Sequence, residues 1–166
     1  MESQKKKILF VCHGNICRSP MAEMMLKKMV RDSGVESRFE IASAATSTEE
    51  IGNDIYPPAK ACLRRHSIPF TPRAARQMTE DDYLYYDHIF VMDQNNLRYL
   101  HWHMPHVVRD YGRQHYADPQ GKIQRLMELT SHPRDVADPW YTGDFEQTYA
   151  DLSLALHQLM QQYAGT

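Results

Sequence analysis

The run Ile8-Leu9-Phe10-Val11 holds no polar position, the pattern of a short parallel strand buried on both faces rather than of a half-exposed one. The polarity then changes. From Cys12 to Ser19 the chain reads as a loop, and Pro20 suits the first turn of a helix. Ala22, Met25, Leu26, Met29 and Val30 then recur at helical spacing until Ser33-Gly34 stops them. Strand, loop and helix therefore follow one another directly. Phe39-Glu40-Ile41 alternates as a second strand would, and the turn residues Gly52 and Asn53 precede a second helix from Tyr56 to Arg65. Ile89-Phe90-Val91-Met92 is another buried-strand run, and a fourth strand is expected near Ile123 to Leu129. Between them, a Pro- and His-rich stretch from His101 to Pro119 carries no readable period. Phe145, Tyr149, Leu152, Leu156, Leu159 and Tyr163 fall three or four apart and predict a long final helix.

Strands alternating with helices predict an α/β fold, a single domain of three layers with a parallel sheet flanked by helices and ligands bound at the carboxyl ends of the strands. Cys12 stands at such an end. No repeat, low-complexity tract or Gly/Ser linker divides the 166 residues, so residues 1–166 read as one domain, long enough to bury a core without disulfides or a structural metal. A formal net charge of -2 gives no electrostatic footprint for nucleic acid or an anionic membrane, and neither is expected as a partner. Lys5, Lys6 and Lys7 precede an apolar run far too short for the hydrophobic region of a signal peptide, so neither export nor anchoring is expected. Three cysteines, an odd count, argue against a disulfide framework and for a reducing compartment, the cytoplasm.

The chemistry concentrates in Cys12-His13-Gly14-Asn15-Ile16-Cys17-Arg18-Ser19, where a cysteine and an arginine stand six apart between a buried strand and a helix start. That spacing alone is a weak signal, and its context strengthens it. A loop leading into a helix N-terminus aims several unpaired N–H groups, and the positive end of the helix dipole, at one spot where an anion can sit. Gly14 and Asn15 tolerate positive φ, which a tight loop needs if successive N–H groups are to converge. Such a nest favours a thiolate at its edge, so Cys12 is expected to be a nucleophile. Arg18 offers a planar fork that matches two phosphoryl oxygens, and Ser19 can hydrogen-bond the thiolate. His13, Gly14, Asn15, Ile16, Cys17 and Ser19 would then surround the phosphate. The bland alternative is a strand-to-helix turn around a structural cysteine. Cys17 reads equally as a packing residue and as a redox partner of Cys12, and Cys62, in an amphipathic helix, reads as core.

A phenolate leaving group needs a proton, and Asp138 is the candidate donor. It lies in the turn-rich segment Ala137-Asp138-Pro139-Trp140-Tyr141-Thr142-Gly143, where Trp140 and Tyr141 could wall a slot for an aromatic ring. Taken alone, an Asp-Pro pair is more often an ordinary turn, and two aromatics are more often core.

With both loops in place, the chain resembles the low molecular weight protein tyrosine phosphatases from about Lys7 to the final helix. The family's loop, Cys-x-Gly-Asn-x-Cys-Arg-Ser-Pro, is matched by Cys12, Gly14, Asn15, Cys17, Arg18, Ser19 and Pro20. Its Asp-Pro-aromatic-Tyr-x-Gly loop is matched by Asp138, Pro139, Trp140, Tyr141 and Gly143. Ser43-Ala44-Ala45-Thr46 and the segment holding Met92, Asp93 and Asn96 match two further stretches. The resemblance implies a four-stranded parallel sheet and no cofactor or metal. It also implies a cysteinyl-phosphate intermediate, Asp138 as general acid, and Ser43 helping to hold Asn15. The implied substrate is a tyrosine-phosphorylated protein or small aryl phosphate, with inorganic phosphate as product.

Three positions depart from the family pattern: His13 replaces a commoner aliphatic residue, Arg73 a histidine that supports the loop asparagine, and Glu49 an aromatic frequent in animal members. Thioredoxin-coupled arsenate reductases resemble the same fold but need two later cysteines, and none follows Cys62 here. Protein-arginine phosphatases resemble it more nearly but carry threonine where this chain has Ile16. A phosphate-binding module without turnover is the non-enzymatic alternative, against which the joint presence of Cys12, Arg18 and Asp138 speaks.

Overall fold

A computed structural model describes residues 5–104 and 118–164. Its centre is a four-stranded parallel sheet of order β2-β1-β3-β4, formed by β1 (Lys6–Cys12), β2 (Phe39–Ala45), β3 (His88–Val91) and β4 (Ile123–Arg125). The apolar run in β1 follows from its place inside that sheet. Ile8 and Phe10 face one core cluster while Leu9 and Val11 face the other, and all four are completely buried. A strand with a wet face would alternate; this one has none. The first cluster packs under α1 (Arg18–Asp32), α2 (Pro57–Arg65) and α6 (Phe145–Tyr163). The second packs under α3 (Glu80–Tyr85) and α4 (Gln94–His103). A short α5 (Pro139–Thr142) precedes α6.

The predicted layers and single domain are present, with differences in extent. β2 runs on to Ala45, past the alternating Phe39-Glu40-Ile41, because its second half lies beside the interior end of β1 and is filled by small residues. The expected fourth strand lasts only from Ile123 to Arg125, after which Leu126–Leu129 winds into a 3-10 turn that drives Leu126 and Met127 into the core. Three helices went unread: the four-residue α5, within a segment read as turn-rich, and α3 and α4. α3 is six residues long and is started by a reciprocal cap between Thr79 and Asp82 rather than by an apolar stripe. α4 buries only Asn96, Leu97 and Leu100, and leaves Tyr99 and Trp102 exposed, so its period is faint. The start of the unreadable Pro- and His-rich stretch is the end of α4, Asp118 binds the Tyr83 hydroxyl and the Ile123 N–H at the start of β4, and residues 105–117 lie outside the described residues.

Leu156 and Leu154 share α6, but the first is completely buried and the second half exposed. Leu156→Ala should lower the unfolding free energy by about 2–5 kcal/mol, whereas Leu154→Ala should change it by less than about 0.5 kcal/mol. Paired urea titrations check this, and equal effects would mean that α6 does not seal the core on that face.

Candidate active site

The site grows from the junction of β1 and α1. Cys12 ends the strand, Arg18 begins the helix, and the chain between them reverses around the Cys12 sulfur. Three polar groups converge there: the backbone N–H of Asn15 donates at 3.3 Å, that of Ser19 at 3.4 Å, and the Ser19 hydroxyl shares a hydrogen bond with the sulfur at 3.0 Å. The reversal needs one left-handed residue, and Asn15 supplies it with φ of 59°. Gly14, expected to share that role, does not have positive φ. Its reason is space: a Cβ there would stand 3.2 Å from Glu50 Cγ.

Asn15 is completely buried and tied on every side. Its Nδ2 donates to Ser19 Oγ at 2.8 Å and Ser43 Oγ at 2.9 Å, and its Oδ1 accepts from the Arg76 backbone N–H at 3.2 Å. Ser43 in turn donates to Glu23 Oε1 at 2.6 Å. Arg73, flagged as a departure from a supporting histidine, reaches the Asn53 carbonyl instead, so the backbone of Arg76 provides that support. The Asn15 and Ser19 side chains are buried and bonded to each other and around Cys12, while their backbone N–H groups face the loop centre.

Arg18 is almost wholly buried, with one NH group donating to Asp93 Oδ2 at 2.6 Å and the Val136 carbonyl at 2.8 Å, and the other to Asp138 Oδ2 at 3.3 Å. Burial opposes its charge, but Cys12, Asp93 and Asp138 outweigh that and hold its pKa above the ordinary arginine value. Asp93 also caps α4 by accepting from the Asn96 N–H at 2.8 Å. Sequence reasoning quoted Asp93 and gave it no role. Its position directly after a buried strand, at the sheet end where Cys12 lies, was the available signal. Asp138 caps α5 through the Trp140 N–H at 3.0 Å, which leaves its other oxygen turned toward Arg18.

These groups enclose a cavity of about 110 Å³. Its lining combines the buried Cys12, Ile16, Cys17 and Arg18 with the exposed Trp140 and Tyr141, and with His13, Gly14, Glu49, Glu50 and Asp138. Trp140 is steadied by Tyr56, whose ring lies 4.8 Å away, a partner sequence reasoning missed. His13 bonds Glu49 through Nε2 at 2.9 Å and meets the Tyr99 ring edge-on at 4.8 Å, so two departures from the family pattern form one contact at the rim. Burial pushes the Cys17 thiol far above its ordinary value, with Cys12 and Asp138 adding to it. Cys17 is thus a protonated lining residue in this arrangement.

A family model described as low molecular weight phosphotyrosine protein phosphatase matches residues 7–165. The human protein of that name is 45% identical over 151 residues, covering 89% of each chain. The Bacillus subtilis low molecular weight protein-tyrosine-phosphatase YfkJ is 34% identical over 155 residues, covering 92% of each. Its crystal structure superposes with a TM-score of 0.87 over 99% of this chain and 98% of that one. The chain belongs to the low molecular weight phosphotyrosine protein phosphatase family. A Drosophila arginine phosphatase also shares the fold, with a TM-score of 0.80 at 26% identity over 95% of this chain and 97% of that one. No helix among the described residues of this family member is long and apolar enough to cross a membrane.

Asn15 is the residue on which the loop geometry turns. Asn15→Ala should lower kcat/KM for an aryl phosphate by at least about tenfold and stability by about 1–3 kcal/mol, since it loses three side-chain bonds and keeps a strained φ. Steady-state kinetics with thermal unfolding checks this. Undiminished activity would show that the loop closes without its tether.

Proposed function

We propose that the protein is a protein tyrosine phosphatase that hydrolyses phosphotyrosine through a cysteinyl-phosphate intermediate, with Cys12 as nucleophile, Arg18 as phosphate clamp and Asp138 as general acid and base. The observation that carries this is the convergence of two backbone N–H donors and the Ser19 hydroxyl on Cys12 Sγ, with Arg18 and Asp138 joined at 3.3 Å beside it. Donors aimed at sulfur stabilise it as an anion, and the same N–H groups suit the oxygens of a phosphoryl group that takes its place at the loop centre.

In the first step the Cys12 thiolate attacks phosphorus. An S–P bond forms, the bond to the aryl oxygen breaks, and protonated Asp138 gives its proton to the departing phenolate. Arg18 is already charged and held from behind by Asp93 and the Val136 carbonyl, so its remaining NH group can turn from Asp138 to the phosphoryl oxygens. That exchange frees the Asp138 carboxyl for the leaving group. In the second step Asp138 takes a proton from water as the water attacks phosphorus. The S–P bond breaks, inorganic phosphate departs, and the Ser19 hydroxyl receives the returning thiolate.

Phosphotyrosine is the favoured substrate because Ile16, Trp140 and Tyr141 line the same cavity as Cys12 and Arg18, an apolar and aromatic surface that suits an aryl phosphate better than the short phosphoserine side chain. The partner is then a tyrosine-phosphorylated protein or small aryl phosphate. An arginine phosphatase is the second reading, supported by the shared fold of the Drosophila enzyme. Ile16 in the cavity lining is apolar and favours an uncharged aryl ring over a charged guanidinium. The three cysteines are free, which suits action in the cytoplasm.

Asp138→Ala should reduce kcat by roughly 10²- to 10⁴-fold for phosphotyrosine and much less for aryl phosphates with acidic phenols, because only poor leaving groups need the proton. A loss independent of leaving-group pKa would remove Asp138 from the proton-donor role. Matched phosphotyrosine, phosphoserine and phosphoarginine peptides test the substrate: kcat/KM should be highest for phosphotyrosine, and a higher value for phosphoarginine would select the second reading.

A further inference from the structure

Away from the pocket, the start of α6 meets the end of α2, and there Cys62 Sγ, His66 Nε2 and the Glu146 carboxylate bring three different donor atoms within 4.8 Å of one another. We propose that these three side chains bind a divalent cation of the zinc class and clamp α2 to α6. Cys62 and His66 are four apart at the last turn of α2, so both project from one face, and Glu146 is the second residue of α6. A thiolate, an imidazole and a single carboxylate form a donor set that suits zinc rather than calcium or magnesium, and three protein ligands leave a fourth tetrahedral position for water.

The spacings support this. Two ligands on a tetrahedral zinc with bonds of ~2.0–2.3 Å stand roughly 3.3–3.6 Å apart. Cys62 Sγ already lies 3.7 Å from Glu146 Oε1. His66 Nε2 lies 2.6 Å from the other oxygen, Glu146 Oε2, so a single carboxylate ligand needs rotation of the half-exposed Glu146 side chain to set one oxygen between both donors, opening that hydrogen bond by less than about 1 Å. The His66 ring is stacked on Tyr149 at 3.6 Å and 9°, so its plane is set before any ion arrives. Arg65 is the competitor, since its Nε holds Glu146 Oε1 at 2.7 Å, but it is half exposed and can swing into solvent.

Coordination forms one bond from each donor to the metal, releases the Cys62 thiol proton to solvent, and moves the His66 Nε2 proton that now bonds Glu146 to Nδ1 or to solvent, with no change of oxidation state. Burial pushes that thiol up to about 11, so displacing its proton weakens the site without abolishing it. The clamp would also reach the acid loop. Phe145 packs 6.1 Å from the Tyr56 ring, and Tyr56 steadies Trp140 two residues after Asp138.

The test uses the full chain carrying Cys12→Ser, so that the loop thiolate cannot supply the sulfur, titrated with cobalt(II) and then competed with zinc. One equivalent of cobalt should give a thiolate-to-metal charge-transfer band that zinc removes, and zinc should raise Tm in a concentration-dependent way. Adding His66→Gln or Glu146→Gln, both at the surface, should weaken binding by about tenfold or more, and adding Cys62→Ala should remove the band. Absence of the band, its persistence with Cys62→Ala, or an equal zinc effect on Tm with His66→Gln would overturn the proposal and leave a hydrogen-bonded helix contact. The readouts do not depend on turnover, so they stand apart from the proposed phosphatase reaction.

Discussion

The bonds converging on Cys12 Sγ oblige the chain to turn back on itself between the last residue of β1 and the first of α1. Much else in the molecule serves that turn. A strand that ends at the carboxyl edge of a parallel sheet, followed at once by a helix start, delivers N–H groups to one place, but five intervening residues cannot hold their own shape in water. The shape is imposed by Asn15, and Asn15 is imposed by groups from three other parts of the chain: Ser19 on α1, Ser43 on β2 and the backbone of Arg76. Because Asn15 is completely buried, each of those bonds must be made, and an unmade one would leave a buried polar group unsatisfied.

The same logic governs Arg18. A nearly inaccessible guanidinium is tolerable only among anions and acceptors, and Asp93, Asp138 and the Val136 carbonyl supply them from beyond β3 and from the loop before α5. Those contacts divide the labour. Asp93 and the Val136 carbonyl hold one NH group at 2.6 and 2.8 Å, while the contact of the other to Asp138 is longer, at 3.3 Å. The aromatic wall stands on a comparable chain, with Trp140 leaning on Tyr56 and Tyr56 on Phe145 at the head of α6. Thus α6, whose apolar face seals one side of the core, also anchors the loop bearing Asp138.

Local signals in the sequence were sufficient wherever one element carried its own pattern. The all-apolar Ile8 to Val11 run marked the central strand because burial on both faces leaves no place for a polar residue. The stripe from Phe145 to Tyr163 marked α6 for the same kind of reason, and the nine residues from Cys12 to Pro20 marked the loop because strand end, glycine, arginine and helix start fell in order. Signals failed where structure came from elsewhere. α3 and α4 begin at reciprocal caps and bury few side chains, and β4 is a short edge strand set by its pairing with β3. In all three the local pattern is too weak to outweigh tertiary context.

By itself, then, the sequence determined the fold class and the place of the loop, since these rest on periodicity and on residue types in fixed order, whereas the pairing of Cys12 and Arg18 with Asp138 far along the chain was implied only by the family resemblance. Only the tertiary structure decided which neighbours each group keeps. It tied the Asn15 and Ser19 side chains to each other and to Cys12, gave Asp93 its hold on Arg18, placed the backbone of Arg76 on Asn15 while Arg73 reaches the Asn53 carbonyl, and set Glu49 against His13 at the rim. The physical reason is common to all of them. A hydrogen bond is made between atoms a few ångströms apart, and residues 28, 61 or 75 positions distant in the chain come within that range only when the sheet and its helices have closed around them.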